Sequence, residues 1–143
     1  MDLADCVRFA KENPVTHVGT VDGDQPRVRA FSMWFADMSG FYYHTGTTKD
    51  VYRQLKKNPR VELCFCSPPG PAMKMMRVTG SVEFLEDKAL EGRLYKDRPW
   101  LKDVWKNAPK ETRLAIFRVP HGEARFWTME MNLREREAPR VRF

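Results

Sequence analysis

The stretch Phe41-Tyr42-Tyr43-His44-Thr45-Gly46-Thr47-Thr48-Lys49 passes from one kind of backbone to another. Phe41 to Thr45 is aromatic and β-branched, the composition of a strand. Gly46 breaks that pattern. Val51 and Leu55 then recur at helical spacing until Asn58-Pro59 stops them. A strand therefore runs through a glycine turn into a helix with threonines at its cap. The first turn of a helix presents unpaired backbone N–H groups and a partial positive charge, a setting that binds phosphate. Lys49 at that point opposes the helix dipole, and an anion would account for it. The alternative is an ordinary threonine cap with Lys49 in water. The glycines of a Walker loop are missing.

Upstream, residues 2–12 read as a short amphipathic helix ended by Asn13-Pro14. Val15 to Val21 reads as a strand that stops at the turn Asp22-Gly23-Asp24. Arg27 to Phe35 alternates, with Arg27, Arg29, Phe31, Met33 and Phe35 on one face and Val28, Ala30, Ser32 and Trp34 on the other. A turn at Asp37 to Gly40 leads into Phe41, so these three strands are expected to form an antiparallel meander. Downstream, Arg60 to Cys66 is a fourth strand, and Ser67-Pro68-Pro69-Gly70-Pro71 is a loop. Met73 to Leu85 reads as one long strand bent at Gly80. Asp87 to Tyr95 is helical, and Arg98 to Ala108 is helical or irregular. Arg113 to Val119 and Glu123 to Met129 make a last hairpin around Pro120-His121-Gly122. A charged tail begins at Asn132. There is no internal repeat and no linker, so 1–143 is expected to be a single domain, mainly β with a few helices, closing into a barrel.

The chain has 143 residues and a formal net charge of +6, with 25 Lys and Arg against 19 Asp and Glu. That balance favours an anionic partner without naming it. No stacking motif or recognition helix speaks for nucleic acid. No apolar run approaches the roughly 18 residues of a membrane helix. Neither partner is expected, and the protein is expected to be cytoplasmic. The three cysteines, Cys6, Cys64 and Cys66, read as reduced thiols. The three histidines do not fall at finger-like spacing, so no metal is expected.

Arg27 and Arg29 share a strand face beside the phosphate candidate. They could flank the same anion, reach the polar edge of a ring system, or lie on a solvated edge. Trp34, Tyr42, Tyr43, Trp100, Trp105 and Trp127 could pack on such a ring or fill the core. His44 could touch a ligand or fill a strand position. No nucleophile with a base and no acid pair stands out, so any chemistry is expected to come from a cofactor.

Taken in order, Val18-Gly19-Thr20-Val21-Asp22-Gly23-Asp24-Gln25-Pro26-Arg27-Val28-Arg29, Phe41 to Thr45, Thr48-Lys49, Leu55, Asn58-Pro59-Arg60-Val61, Arg77-Val78-Thr79-Gly80 and Phe126-Trp127 resemble the FMN-binding split-barrel superfamily related to pyridoxamine 5′-phosphate oxidase. The resemblance implies a six-stranded antiparallel split β-barrel of Greek-key type and a homodimer with FMN at the interface. It implies that Arg29, Ala30, Phe31 and Ser32 run along the flavin, and Arg27, one pleat before them, is kept as a cofactor-binding candidate. His44, Thr45, Thr48 and Lys49 would bind the ribityl phosphate. Met75 and Trp127 would come from the partner subunit. Members that oxidise pyridoxamine phosphate carry a glutamine near Met75 and an Arg-x-His-Asp-Arg run after the tryptophan. Here Asn132-Leu133-Arg134-Glu135-Arg136 stands instead, so the chain is more similar to the small general-stress and flavin-reductase-like members. The implied activity is an FMN-dependent oxidoreductase using a nicotinamide nucleotide and a small acceptor. A non-catalytic flavin carrier, or a related barrel using F420 or haem, is the alternative.

Overall fold

Asp2 caps the first helix reciprocally with Asp5, each side chain accepting from the other's backbone N–H. That helix, α1 (Leu3–Glu12), buries Cys6, Val7 and Ala10. The computed structural model describes residues 1–143 and continues through β1 (Val15–Asp22), β2 (Gln25–Ser32), β3 (Phe35–Asp37) and β4 (Gly40–Gly46). Next come α2 (Asp50–Lys57), β5 (Arg60–Cys66), β6 (Lys74–Ser81) and β7 (Glu83–Leu85). The last elements are α3 (Lys88–Asp97), α4 (Leu101–Lys106), β8 (Leu114–Val119), β9 (Gly122–Thr128) and β10 (Arg140–Arg142). The class is mainly β with four helices.

The ten strands form two sheets, one of six in the order β10-β9-β6-β5-β1-β2 and one of four in the order β3-β4-β8-β7. Every pairing is antiparallel. This count exceeds the six strands expected, and three further expectations are corrected. First, the meander does not form. β1 and β2 are a hairpin in the larger sheet, the chain breaks at Met33-Trp34, and β3 and β4 are a hairpin in the smaller one. Second, the strand expected from Met73 to Leu85 is two strands divided at Val82, in different sheets. Third, β8 and β9 are not a hairpin, because Pro120-His121 carries the chain from the smaller sheet to the larger. Within the charged tail, β10 pairs with β9.

The sheets face each other across an aromatic core. Phe41, Tyr43, Phe65 and Phe117 are fully buried. Tyr43 and Phe117 stack with ring centroids 5.4 Å apart, and Phe31 stands edge-on to both at 5.9 Å. The buried Tyr43 hydroxyl donates to Thr16 Oγ1 at 3.0 Å, joining the two sheets. A second cluster, Leu94, Leu101 and Ile116 with Trp34 and Trp105 against it, packs α3 and α4 onto the smaller sheet. The outward face of the larger sheet has no such cover near β1 and β2, where Val15 is 58% and Val28 71% exposed.

One turn depends on glycine. Gly40 has φ of +126°, and a Cβ there would lie 2.3 Å from the Val119 carbonyl oxygen. Gly40→Ala combines left-handed strain with a clash against backbone. The expected loss is about 2 kcal/mol or more of unfolding free energy in urea. Wild-type stability in this variant would contradict the β4–β8 packing described.

Candidate functional site

β2 ends the order of the larger sheet, so its outer edge has no strand partner. In the smaller sheet, β3 pairs only with Gly40 to Tyr42, leaving Tyr43 to Gly46 of β4 free on that side. These two free edges border a cleft of about 490 Å³. Ala30, Phe31, Ser32, His44, Thr45, Thr48 and Lys49 all line it. The opposite wall is Arg98, Trp100, Leu101, Val104 and Trp105, from α4 and its junction with α3. No Asp or Glu lines the cleft.

The turn from β4 into α2 differs from the expected threonine cap. The cap residue is Lys49, in extended conformation and with no side-chain capping bond. Thr47 instead exchanges hydrogen bonds with Arg113: its hydroxyl accepts from the Arg113 N–H at 2.8 Å and its N–H donates to the Arg113 carbonyl at 2.9 Å. The Thr48 and Thr112 hydroxyls are 2.9 Å apart. The threonines thus tie the turn to the 112–113 loop and leave the start of α2 open. Gly46 permits this approach, since a Cβ there would sit 3.1 Å from Thr112 Cγ2 and 3.4 Å from the Trp105 ring.

Two features make the cleft more than a gap. Thr45 is 5% exposed, and its Oγ1 has no hydrogen-bond partner; Trp105 Nε1 is likewise buried and unpartnered. Such groups cost stability unless a ligand or water completes them. The second feature is charge. Neither Lys49 nor Arg98 is within salt-bridge distance of a carboxylate. The Lys49 ammonium lies 5.6 Å from the Phe31 ring centroid. His44 is held neutral: burial first, then Arg98 and Lys49, push its imidazole down to about 4.

The remaining candidates fall elsewhere. Arg27 pairs with Asp22 at 3.4 Å. Arg29 points inward and donates to the Val18 carbonyl, Thr20 Oγ1 and Gln54 Oε1 at 3.2, 2.7 and 2.6 Å. Neither lines the cleft of its own chain. Met75 and Trp127 are direct cross-strand partners on the outward face of the larger sheet, also outside this cleft. Tyr43 belongs to the core, Tyr42 stacks on Phe35 with centroids 4.1 Å apart, and Trp34 packs below α3. Sequence reasoning missed Arg98. Its signal was faint, an arginine at the end of one helix before Pro99.

A larger groove of about 1390 Å³ runs past the β1–β2 hairpin. It mixes Arg27, Arg60 and Arg118 with Glu62, Glu83 and Glu123, Arg118 and Glu83 pairing at 2.9 Å, and neither orphaned polar atom lies in it. The smaller cleft is therefore the better site. No three His, Cys, Asp or Glu side chains converge to hold a metal, and Cys64 and Cys66 are free thiols with sulfurs 3.8 Å apart.

The chain belongs to the pyridoxamine 5′-phosphate oxidase family, whose model matches residues 4–128. Among solved structures, it is similar to a NimC/NimA family protein from Clostridium acetobutylicum. That pair has a TM-score of 0.77 and 24% identity over 98% of this chain and 92% of that one. General stress protein 26 from Bacillus anthracis aligns with a TM-score of 0.72 and 15% identity over 99% and 98% of the two chains. An FAD-binding protein from Mesorhizobium loti aligns with a TM-score of 0.67 and 17% identity over 90% and 96%. No curated protein matches the sequence significantly.

The orphaned hydroxyl makes a two-sided prediction. Thr45→Val removes a buried polar atom that the ligand-free chain does not use. It is expected to leave the apoprotein as stable as wild type or up to about 1 kcal/mol more stable by urea unfolding. A loss of 2 kcal/mol or more would mean that Thr45 serves the fold.

Proposed function

We propose that the cleft binds flavin mononucleotide and that the protein is an FMN-dependent oxidoreductase. In this reading a nicotinamide nucleotide reduces the flavin and a small acceptor reoxidises it. The observation that carries the proposal is the pairing of the orphaned Thr45 hydroxyl with the unpaired Lys49 cation at the open start of α2. That donor set suits a phosphate dianion. Ala30, Phe31 and Ser32 lie on an unpaired strand edge in the same cleft; Arg98 takes the Ser32 carbonyl, and the other outward backbone groups are available to the polar edge of a planar ring. Trp100, Leu101, Val104 and Trp105 supply an apolar wall against which a ring system can pack. The flavin, when bound, supplies hydride and electron transfer.

Flavin binding also gives the uncovered sheet face a use. We propose that the two sheets act as a split barrel and that two copies associate through this face in the cytoplasm. Met75 and Trp127 of each copy would then complete the cleft of the other. Family membership and an FAD-binding structural relative support the cofactor class. Met75, and the Asn132 to Arg136 segment, lack the residues expected for pyridoxamine phosphate oxidation, so that substrate is not proposed.

A flavin carrier without its own substrate is the second reading, favoured by the absence of any acid in the cleft. Sustained NADH or NADPH oxidation by the loaded protein separates the two, because a carrier stops after one equivalent. Haem is less favoured. The one cleft histidine, His44, has its Nε2 2.7 Å from Arg98, so that nitrogen is already engaged. The absorption spectrum distinguishes FMN from F420.

Lys49→Ala is expected to weaken FMN binding by about 1–3 kcal/mol, measured by quenching of flavin fluorescence on titration into apoprotein. Unchanged affinity would place the phosphate elsewhere.

A further inference from the structure

Arg98 does something in the cleft that phosphate binding does not explain. It sits at the joint between α3 and α4, and its guanidinium is fixed on the end of β2 and the residue beyond. Nη1 donates to the Ser32 carbonyl at 3.2 Å, and Nη2 donates to the Met33 carbonyl at 2.8 Å. From that position Nη1 also lies 2.7 Å from His44 Nε2.

A guanidinium has donors only. The nitrogen it meets must therefore accept, and a neutral imidazole that accepts at Nε2 carries its proton on Nδ1. We propose that Arg98 is a positioning residue that locks His44 in this tautomer, so that Nδ1–H becomes a fixed donor to an acceptor atom of the ligand in the cleft. The acceptor would be a carbonyl or carboxylate oxygen or an unprotonated ring nitrogen.

Three observations support the assignment. Nδ1 makes no hydrogen bond within the chain and is not fully buried, and His44 lines the cleft. The charged groups that face His44 are both cations, Arg98 and Lys49, and no carboxylate lines the cleft to favour an imidazolium. Burial acts in the same direction, and together they hold the ring neutral down to about pH 4. In consequence His44 binds and orients, but it does not supply a proton near neutral pH.

The ligand's identity rests on the flavin reading, whereas the tautomer is a property of the ligand-free chain. The test is ¹⁵N NMR of the apoprotein's histidine side chains, with His44 assigned through His44→Gln. Wild type is expected to show Nε2 unprotonated and Nδ1 protonated, with no titration from pH 8 down to about 5. Arg98→Lys, which still donates, is expected to keep this pattern. Arg98→Met is expected to mix the tautomers, to raise the titration midpoint toward the ordinary histidine range, and to weaken FMN binding roughly five-fold, the size of one neutral hydrogen bond. A proton on Nε2 in wild type, or titration near the ordinary histidine value, would overturn the proposal even if Arg98→Met does not fold. Unchanged FMN affinity in a folded Arg98→Met would overturn the donor role. If wild type shows the expected tautomer but binds no FMN, the flavin reading fails while the Arg98–His44 lock stands.

Discussion

The contact of Phe31 with the stacked pair Tyr43 and Phe117 holds the two sheets together and also shapes the site. These rings come from β2, β4 and β8, that is, from both sheets. The Tyr43 hydroxyl is fully buried and must be paired, and Thr16 of β1 meets that need across the core. The sheets are thus joined here through side chains rather than by a backbone ladder. That leaves the edge of β2 and the end of β4 free of each other, and the cleft lies between them. Phe31 belongs to both regions, since its ring packs in the core and lies below the Lys49 ammonium. A change in the core at Phe31 is therefore also a change in the site.

Much of this was legible in the sequence because local physics decides it. β-branched and aromatic composition located β1 and β4, alternation located β5, helical spacing located α1 and α2, and Gly46 marked a turn at the cleft that seven of the site candidates line. What stayed hidden was sheet membership. A strand with one buried face reads the same in either sheet, so nothing at Met33-Trp34, Val82 or Pro120-His121 announces a crossing. The partners of the arginines were hidden for a related reason. Arg29 finds Gln54, and Arg98 finds His44, across distances in sequence that no period spans. The threonines expected to cap α2 are used instead by a loop more than sixty residues away. Local propensity favoured the cap, and tertiary pairing overrode it.

The electrostatics of the cleft follow from this architecture. Lys49 stands at the start of α2, where backbone N–H groups are open, and Arg98 is held at the far side by backbone carbonyls. Between them His44 stays neutral. Two cations line a site that holds no negative charge of its own, and two residues of its lining, Thr45 and Trp105, carry a buried unpartnered hydroxyl and indole N–H. Such a site suits an anionic cofactor with a polar ring edge, and the chemistry would then belong to that cofactor. Membership of the pyridoxamine 5′-phosphate oxidase family agrees with this division of labour.

The most direct test is the visible absorption spectrum of the purified protein after incubation with excess FMN and removal of unbound ligand by gel filtration. The account predicts flavin bands that co-elute with the protein at one flavin per chain. A colourless protein after this treatment would contradict it.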